Sequence, residues 1–205
     1  MVGSALLWAG DLIGAHFFIG LPTTSPSMAW AVWFTGLPGC GKTTIARRTK
    51  EHLSRMGVEA MILELDEIRK VITPNPRYTD EERDIVYASL AYMAKLLCDA
   101  GVNVIIDATA NRRRYRDLAR ELVERFAEVY IKAPLDVCME REAIRRAEFA
   151  PREIYKKAAS GARVPGVGVP YEEPVSPEIV VDTTMMDPES AAEFVSKKIL
   201  EIFGG

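Results

Sequence analysis

The stretch Gly36-Leu37-Pro38-Gly39-Cys40-Gly41-Lys42-Thr43-Thr44 constrains this chain more than any other. It reads G-x-x-x-x-G-K-[ST], the pattern of a phosphate-binding loop. Before it, Ala29 to Thr35 is apolar and β-prone; after it, Thr43 to Arg55 has a helical pattern. Strand, glycine loop and helix in that order are the context in which the motif works. Gly36, Gly39 and Gly41 allow backbone angles and close approaches that a side chain would block. The turned backbone, with Leu37, Pro38 and Cys40 between the glycines, aims several N–H groups at one point. The helix start at Thr43 and Thr44 adds partial positive charge. Lys42 can reach outer phosphates as a point charge, and the Thr43 hydroxyl is placed to ligate Mg²⁺.

The length, 205 residues, suits one α/β domain with a single core. A net charge of −3 gives no overall attraction for nucleic acid, so no such partner is expected and any anion site must be local. Cys40, Cys98 and Cys138 are odd in number and widely spaced, which argues against a disulfide framework or a zinc site and fits a reducing, cytoplasmic setting. His16 and His52 are the only histidines, and His52 reads as a surface residue. Carboxylates, Lys and Arg must therefore carry any acid–base chemistry. Residues 1–27 differ from the rest. Ala5 to Leu21 is apolar, but Asp11 interrupts it, and a mid-membrane Asp costs about 2.5–3.5 kcal/mol. No Lys or Arg precedes the run, as a signal peptide would require. The expectation is an N-terminal extension or start-site artefact over 1–27, no membrane association, and one domain over 28–205. A membrane anchor is the alternative.

Along the chain, a helix is expected from Lys42 to Met56, closed by Gly57, then a strand over Val58 to Leu65 with Asp66 at its end. Thr79 and Glu82 have capping-box spacing and open a long helix that Gly101 ends. Val102 to Ile106 is a continuous apolar run, as in a buried parallel strand, followed by Asp107. Further helices are read over Asn111 to Arg125, Pro134 to Arg146 and Pro151 to Ala159, with strands at Glu128 to Lys132 and Ile179 to Val181. Gly161 to Pro177 reads as a loop, and Asp187 caps a final amphipathic helix. Alternating strands and helices predict a three-layer α/β/α domain: a parallel sheet with helices on both faces, the phosphate-loop nucleoside-triphosphate hydrolase fold. In such sheets ligands bind beyond the carboxyl ends of the strands. That rule selects the phosphate loop, Asp66 to Arg69, Asp107 to Arg116, and the loop after Lys132.

Asp66 could accept a proton from an acceptor hydroxyl or help to hold Mg²⁺, with Arg69 one helical turn on; the bland alternative is a helix cap beside a surface arginine. Asp107 after Val104-Ile105-Ile106 resembles the second nucleotide motif, whose Asp binds Mg²⁺ through water, but it fits a strand-end turn equally well. Arg112 to Arg114 and Arg116 crowd cations at a helix start, which is locally costly unless an anion is bound. A second basic group, including Arg141, Arg145, Arg146, Arg152, Lys156, Lys157 and Arg163, suggests a lid near 141–170.

With these residues in view, the chain resembles the adenylylsulfate kinases from about Trp30 to Leu200. Leu65-Asp66-Glu67-Ile68-Arg69 looks like the family's Asp-Asn-Val/Ile-Arg segment. Tyr155-Lys156-Lys157-Ala158, then Pro170-Tyr171-Glu172-Glu173-Pro174 and Pro177-Glu178-Ile179-Val180, carry the sharpest match. The resemblance implies a kinase that uses ATP and Mg²⁺ to phosphorylate the 3′-hydroxyl of adenylyl sulfate, giving 3′-phosphoadenylyl sulfate. Lys42 and Asp66 would be catalytic, and Thr43, Asp66 and Asp107 would serve the metal. The phosphate loop, Arg141 and Met186 would hold ATP. Asp66, Arg69, Tyr78, Arg83, Thr109, Ala110, Arg113, Lys156 and Val164 would lie around the acceptor. A homodimer is the candidate assembly. The chain departs from the pattern at several points. Thr109-Ala110-Asn111-Arg112-Arg113 stands where the family often has Ile-Ser-Pro-Tyr/Phe-Arg. Val86 replaces an Asn, and Val164 replaces the Phe that stacks on the acceptor adenine. The alternatives are a kinase of another nucleoside or tRNA-linked hydroxyl, and a nucleotide-dependent switch.

Overall fold

The structure, a computed structural model, describes residues 29–144 and 153–204. In chain order the elements are β1 (Ala31–Thr35), α1 (Lys42–Arg55), β2 (Ala60–Glu64), α2 (Leu65–Ile72), α3 (Asp80–Asp99), β3 (Asn103–Asp107), α4 (Arg113–Leu122), β4 (Phe126–Lys132), α5 (Leu135–Ile144), α6 (Ile154–Ala159), β5 (Ile179–Asp182) and α7 (Pro188–Phe203). The strands form one parallel sheet in the order β2-β3-β1-β4-β5. β1 lies at the centre, with Phe34 opposite Asp107 on β3 and Val129 on β4.

Alternation along the strands builds two cores. Val32 and Phe34 face the side covered by α1, α5, α6 and α7, where Ile45, Leu53, Val195 and Ile199 pack. Ala31 and Trp33 face the side covered by α3 and α4, where Val86, Leu90, Tyr115 and Ala119 pack. Burial on both faces explains why these strands read as continuous apolar runs. The three-layer architecture is as the sequence predicts.

Local chemistry sets the helix ends. Thr79 caps α3 by accepting from the Glu82 N–H at 3.2 Å, and Asp187 caps α7 by accepting from the Glu189 and Ser190 N–H groups. Several boundaries differ from expectation by a few residues, and two of them bear on the site. β2 stops at Glu64, and Leu65 already belongs to α2, so Asp66 sits in the first turn of a helix rather than at a strand end. The helix read over 111–125 begins only at Arg113, because Ala110 has φ 44 and Arg112 is extended. His52 is not a free surface residue: it packs against α7 and bonds Glu189 at 2.9 Å. The expectations for residues 1–27, and those resting on Arg145, Arg146 and Arg152, lie outside the described residues.

Candidate active site

Every strand ends at the same edge of the sheet, and the loops that leave those ends meet around Lys42. The phosphate loop, 36–41, joins β1 to α1. Its glycines are required by space as well as by backbone angle. A Cβ on Gly36 would fall 2.2 Å from the Ile131 carbonyl oxygen, and one on Gly39 would fall 2.3 Å from that of Cys138. Both residues also have positive φ, 150 and 85. The loop is thus wedged between β4 and α5, and only glycine fits. Lys42 is buried beneath it and donates to the carbonyls of Gly36 at 3.0 Å and Leu37 at 3.1 Å.

Two cavities share Lys42 and Thr43. The first, about 570 Å³, runs from the phosphate loop past Arg141 to the segment after β5, Thr183 to Pro188, and includes Met186. Arg141 is fixed there by two hydrogen bonds to Thr183, one to the hydroxyl at 2.7 Å and one to the carbonyl at 2.9 Å. The Thr183 hydroxyl also lies 3.0 Å from the Cys40 carbonyl, so this wall is tied to the phosphate loop. The sequence reasoning missed Thr183. Applying the strand-end rule to β5 as well would have found it.

The second cavity, about 340 Å³, lies on the other side of Lys42 and is lined by Asp66, Arg69, Tyr78, Arg83, Thr109 and Val164, among others. Arg69 and Arg83 are buried at 7% and 4% exposure. Their guanidinium carbons lie 5.1 and 5.8 Å from the centre of the Tyr78 ring. Arg69 is paired with Glu82 at 3.1 Å. Burial pushes the Glu82 carboxyl up, but the N–H groups of Arg77 and Tyr78, with Arg69, pull it below its ordinary value. Thr109 contributes its carbonyl to the Thr35 hydroxyl at 2.7 Å, and Thr35 shares a 3.0 Å hydrogen bond with Tyr171.

Asp107 lines the second cavity, buried at the end of β3. Burial raises its carboxyl to about 6, opposed by the Lys42 ammonium and a hydrogen bond with Thr43. Burial likewise raises the Cys40 and Cys138 thiols. Neither is a thiolate nucleophile at neutral pH. The hydroxyl of Thr43 and the carboxylates of Asp107 and Asp66 line the second cavity together with Lys42.

Three positions expected at the acceptor do not line this second cavity. Ala110 is fully buried below the cavity wall, with its N–H donated to the Tyr87 hydroxyl at 3.1 Å and its carbonyl accepting from Arg116. Arg113 starts α4 and turns to a separate surface hollow; its N–H donates to Glu172 at 2.8 Å. Lys156 is 73% exposed and paired with Glu153, whereas its neighbour Lys157 lines the cavity. Helical geometry decides that exchange: adjacent residues point about 100° apart, and Tyr155 anchors α6 by donating to the Pro38 carbonyl at 2.8 Å. Arg163, also on the cavity wall, is held by Asp80 at 2.6 Å.

Comparison with known proteins points the same way. The family described as adenylylsulphate kinase matches residues 28–182. A protein of Pyrococcus abyssi described as a probable adenylyl-sulfate kinase is 38% identical over 175 residues, covering 84% of this chain and 96% of the relative. One of Bacillus subtilis, with the same description, is 37% identical over 177 residues, covering 82% and 85%. Among solved structures, the Mycobacterium tuberculosis APS kinase in complex with AMPPNP and APS superposes with a TM-score of 0.72 at 26% identity, covering 86% of this chain and 98% of that one.

Proposed function

The chain belongs to the adenylylsulphate kinase family, and from that premise we propose that it transfers the γ-phosphoryl group of ATP to the ribose 3′-hydroxyl of adenylyl sulfate. The products are ADP and 3′-phosphoadenylyl sulfate. One observation carries the reading: two cavities meet at Lys42 and Thr43, one reaching Arg141 and Met186 and the other reaching Asp66, Arg69 and Arg83. Phosphoryl transfer needs donor and acceptor held in line on either side of one phosphate, with charge neutralised around it. The first cavity takes ATP, its adenine toward Met186, its ribose side beside Arg141 and its phosphates under the loop N–H groups. The second takes the acceptor.

Lys42 holds the outer phosphates and stays beside the group in flight. Asp66 orients the 3′-hydroxyl and takes its proton as the new O–P bond forms and the bond to the β-phosphate breaks. Arg69, Arg83 and Lys157 bind the acceptor's anionic groups, while Tyr78 and Val164 flank its base. Magnesium fits the residues present, because it favours hard oxygen ligands and takes only one or two carboxylates from protein when phosphates supply others. Thr43, Asp66 and Asp107 would hold it, and once bound it would neutralise charge on the ATP phosphates.

A cytoplasmic setting goes with ATP as donor, and no helix among the described residues is long and apolar enough to cross a membrane. We read the assembly as a homodimer. Ile85, Tyr92 and Leu96 form an exposed apolar stripe on α3. An antiparallel copy would set Ile85 against Tyr92 and the acidic first turn against Lys95.

The test is transfer of radiolabelled γ-phosphate from ATP to adenylyl sulfate and, in parallel, to nucleosides lacking the sulfate. Saturable labelling of adenylyl sulfate is expected. Labelling of another hydroxyl in its place would move the chain to a different acceptor, and ATP hydrolysis indifferent to acceptor would make it a switch.

A further inference from the structure

We propose that Asn111 is a positioning residue for acceptor recognition, fixing the Arg83 guanidinium in the cavity wall. The inference rests on reading that cavity as the acceptor site. Asn111 is 2% exposed. Its Oδ1 accepts from Arg83 Nη1 at 3.2 Å, its Nδ2 donates to the Pro170 carbonyl at 3.1 Å, and its own carbonyl accepts from the Glu172 N–H at 2.8 Å. The amide thus joins the end of β3 to α3 on one side and to the Pro170–Glu172 segment on the other.

Arg83 has two other fixed contacts. Nε donates to the Tyr78 carbonyl at 3.2 Å and Nη2 to the Arg163 carbonyl at 2.7 Å. A guanidinium has five N–H donors in a rigid fork. These three contacts leave donors over on a group that lines the cavity. Tyr78 and Arg163 belong to the two segments that border the opening, whereas Asn111 is anchored at the sheet. Asn111 is therefore the contact that sets the direction of the free donors before an acceptor arrives, and preorganisation of that kind lowers the cost of binding. Val86, one turn after Arg83, is wholly buried among core residues and offers nothing to the cavity.

The experiment measures kcat and both KM values for the full chain and for Asn111→Ala, Asn111→Asp and Arg83→Ala, alone and with Asn111→Ala added. Asn111→Ala should raise the adenylyl sulfate KM about tenfold, the scale of one charge-assisted hydrogen bond, and leave kcat and the ATP KM within about twofold. Asn111→Asp matches the native residue in size but cancels part of the Arg83 charge toward an anionic acceptor, so it should raise the same KM. In the Arg83→Ala background, Asn111→Ala should add nothing, because its effect acts through Arg83. An unchanged acceptor KM in folded variants, additive effects, or losses spread equally over kcat and both KM values would overturn the inference alone. A wild-type chain that does not phosphorylate adenylyl sulfate would overturn the substrate reading and this inference with it.

Discussion

Arg116 is the side chain that ties the segment after β3 to Glu172 and Glu128, and replacing it gives a calculable loss. It is 1% exposed. Its Nε donates to Glu128, its Nη1 to the Ala110 carbonyl, and its Nη2 to the Glu172 carbonyl at 2.8 Å. Arg116→Met preserves the stem's packing and removes every one of these donors. Glu128, itself 9% exposed in its side chain, would keep only Arg120, at 3.7 Å. Removing one member of a buried pair costs about 3–5 kcal/mol, because the remaining charge is left uncompensated. Arg120 can turn inward and offset part of that, so the lower end, about 3 kcal/mol, is expected. The double variant Arg116→Met/Glu128→Met leaves no stranded charge and should recover at least half of the loss. Urea unfolding of wild type, both single variants and the double variant reads these energies directly. A single-variant loss below about 1 kcal/mol, or a double variant no more stable than Arg116→Met, would refute the reasoning: Glu128 would then be solvated well enough not to need its partner.

Three further outcomes are expected. Asp66→Asn keeps the shape of the first turn of α2 but removes the proton acceptor, so kcat should fall by about 10²-fold or more with ATP affinity little changed; steady-state kinetics and ATP titration check both halves. The N–H of Arg113, then the Arg112 guanidinium, hold the Glu172 carboxyl below its usual range. A depressed folded value means stability that is present above the unfolded value, 4.5, and lost as pH falls through the folded one. Glu172→Gln should therefore destabilise at pH 7 and match wild type well below pH 4.5; a difference that persists unchanged in acid would contradict the assignment. Finally, a chain starting at Met28 should fold and transfer phosphate as the longer chain does, since β1 begins at Ala31; thermal melts and the same labelling assay compare the two.

The sheet was legible because burial on both faces leaves a plain mark. Val104-Ile105-Ile106 can be little other than a buried parallel strand once Gly101 precedes it and Asp107 follows. α2 was not legible, because strand and helix abut without a loop. Leu65 satisfies the apolar pattern of both, and no Gly or Pro marks the change. The start of α4 was obscured for a different reason. A non-glycine residue in the left-handed region, Ala110 at φ 44, is held there by donating its N–H to Tyr87 and accepting from Arg116, and no local preference announces it.

The same distinction runs through the site. Backbone-driven parts could be read directly: the loop 36–41 follows from glycine spacing, and Asp107 from its place at a strand end. Side chains on helices were read only in part, because a shift of one residue turns a side chain by about 100°. That is why Lys157 rather than Lys156 reaches the cavity, and why Arg113 turns to Glu172 while Arg69 and Arg83 turn inward. The run of arginines at 112–116 looked like an unpaid electrostatic cost awaiting an anionic ligand. The chain answers most of it internally. Arg112 pairs with Glu172, Arg114 with Asp84, and Arg116 with Glu128. What remains for an anion is the set whose partners sit behind rather than across the cavity: Arg69 backed by Glu82, and Arg83 backed by neutral carbonyls and Asn111. A guanidinium held only by neutral acceptors keeps its full charge for the ligand, so Arg83 should contribute more to acceptor binding than Arg69, whose charge Glu82 partly cancels.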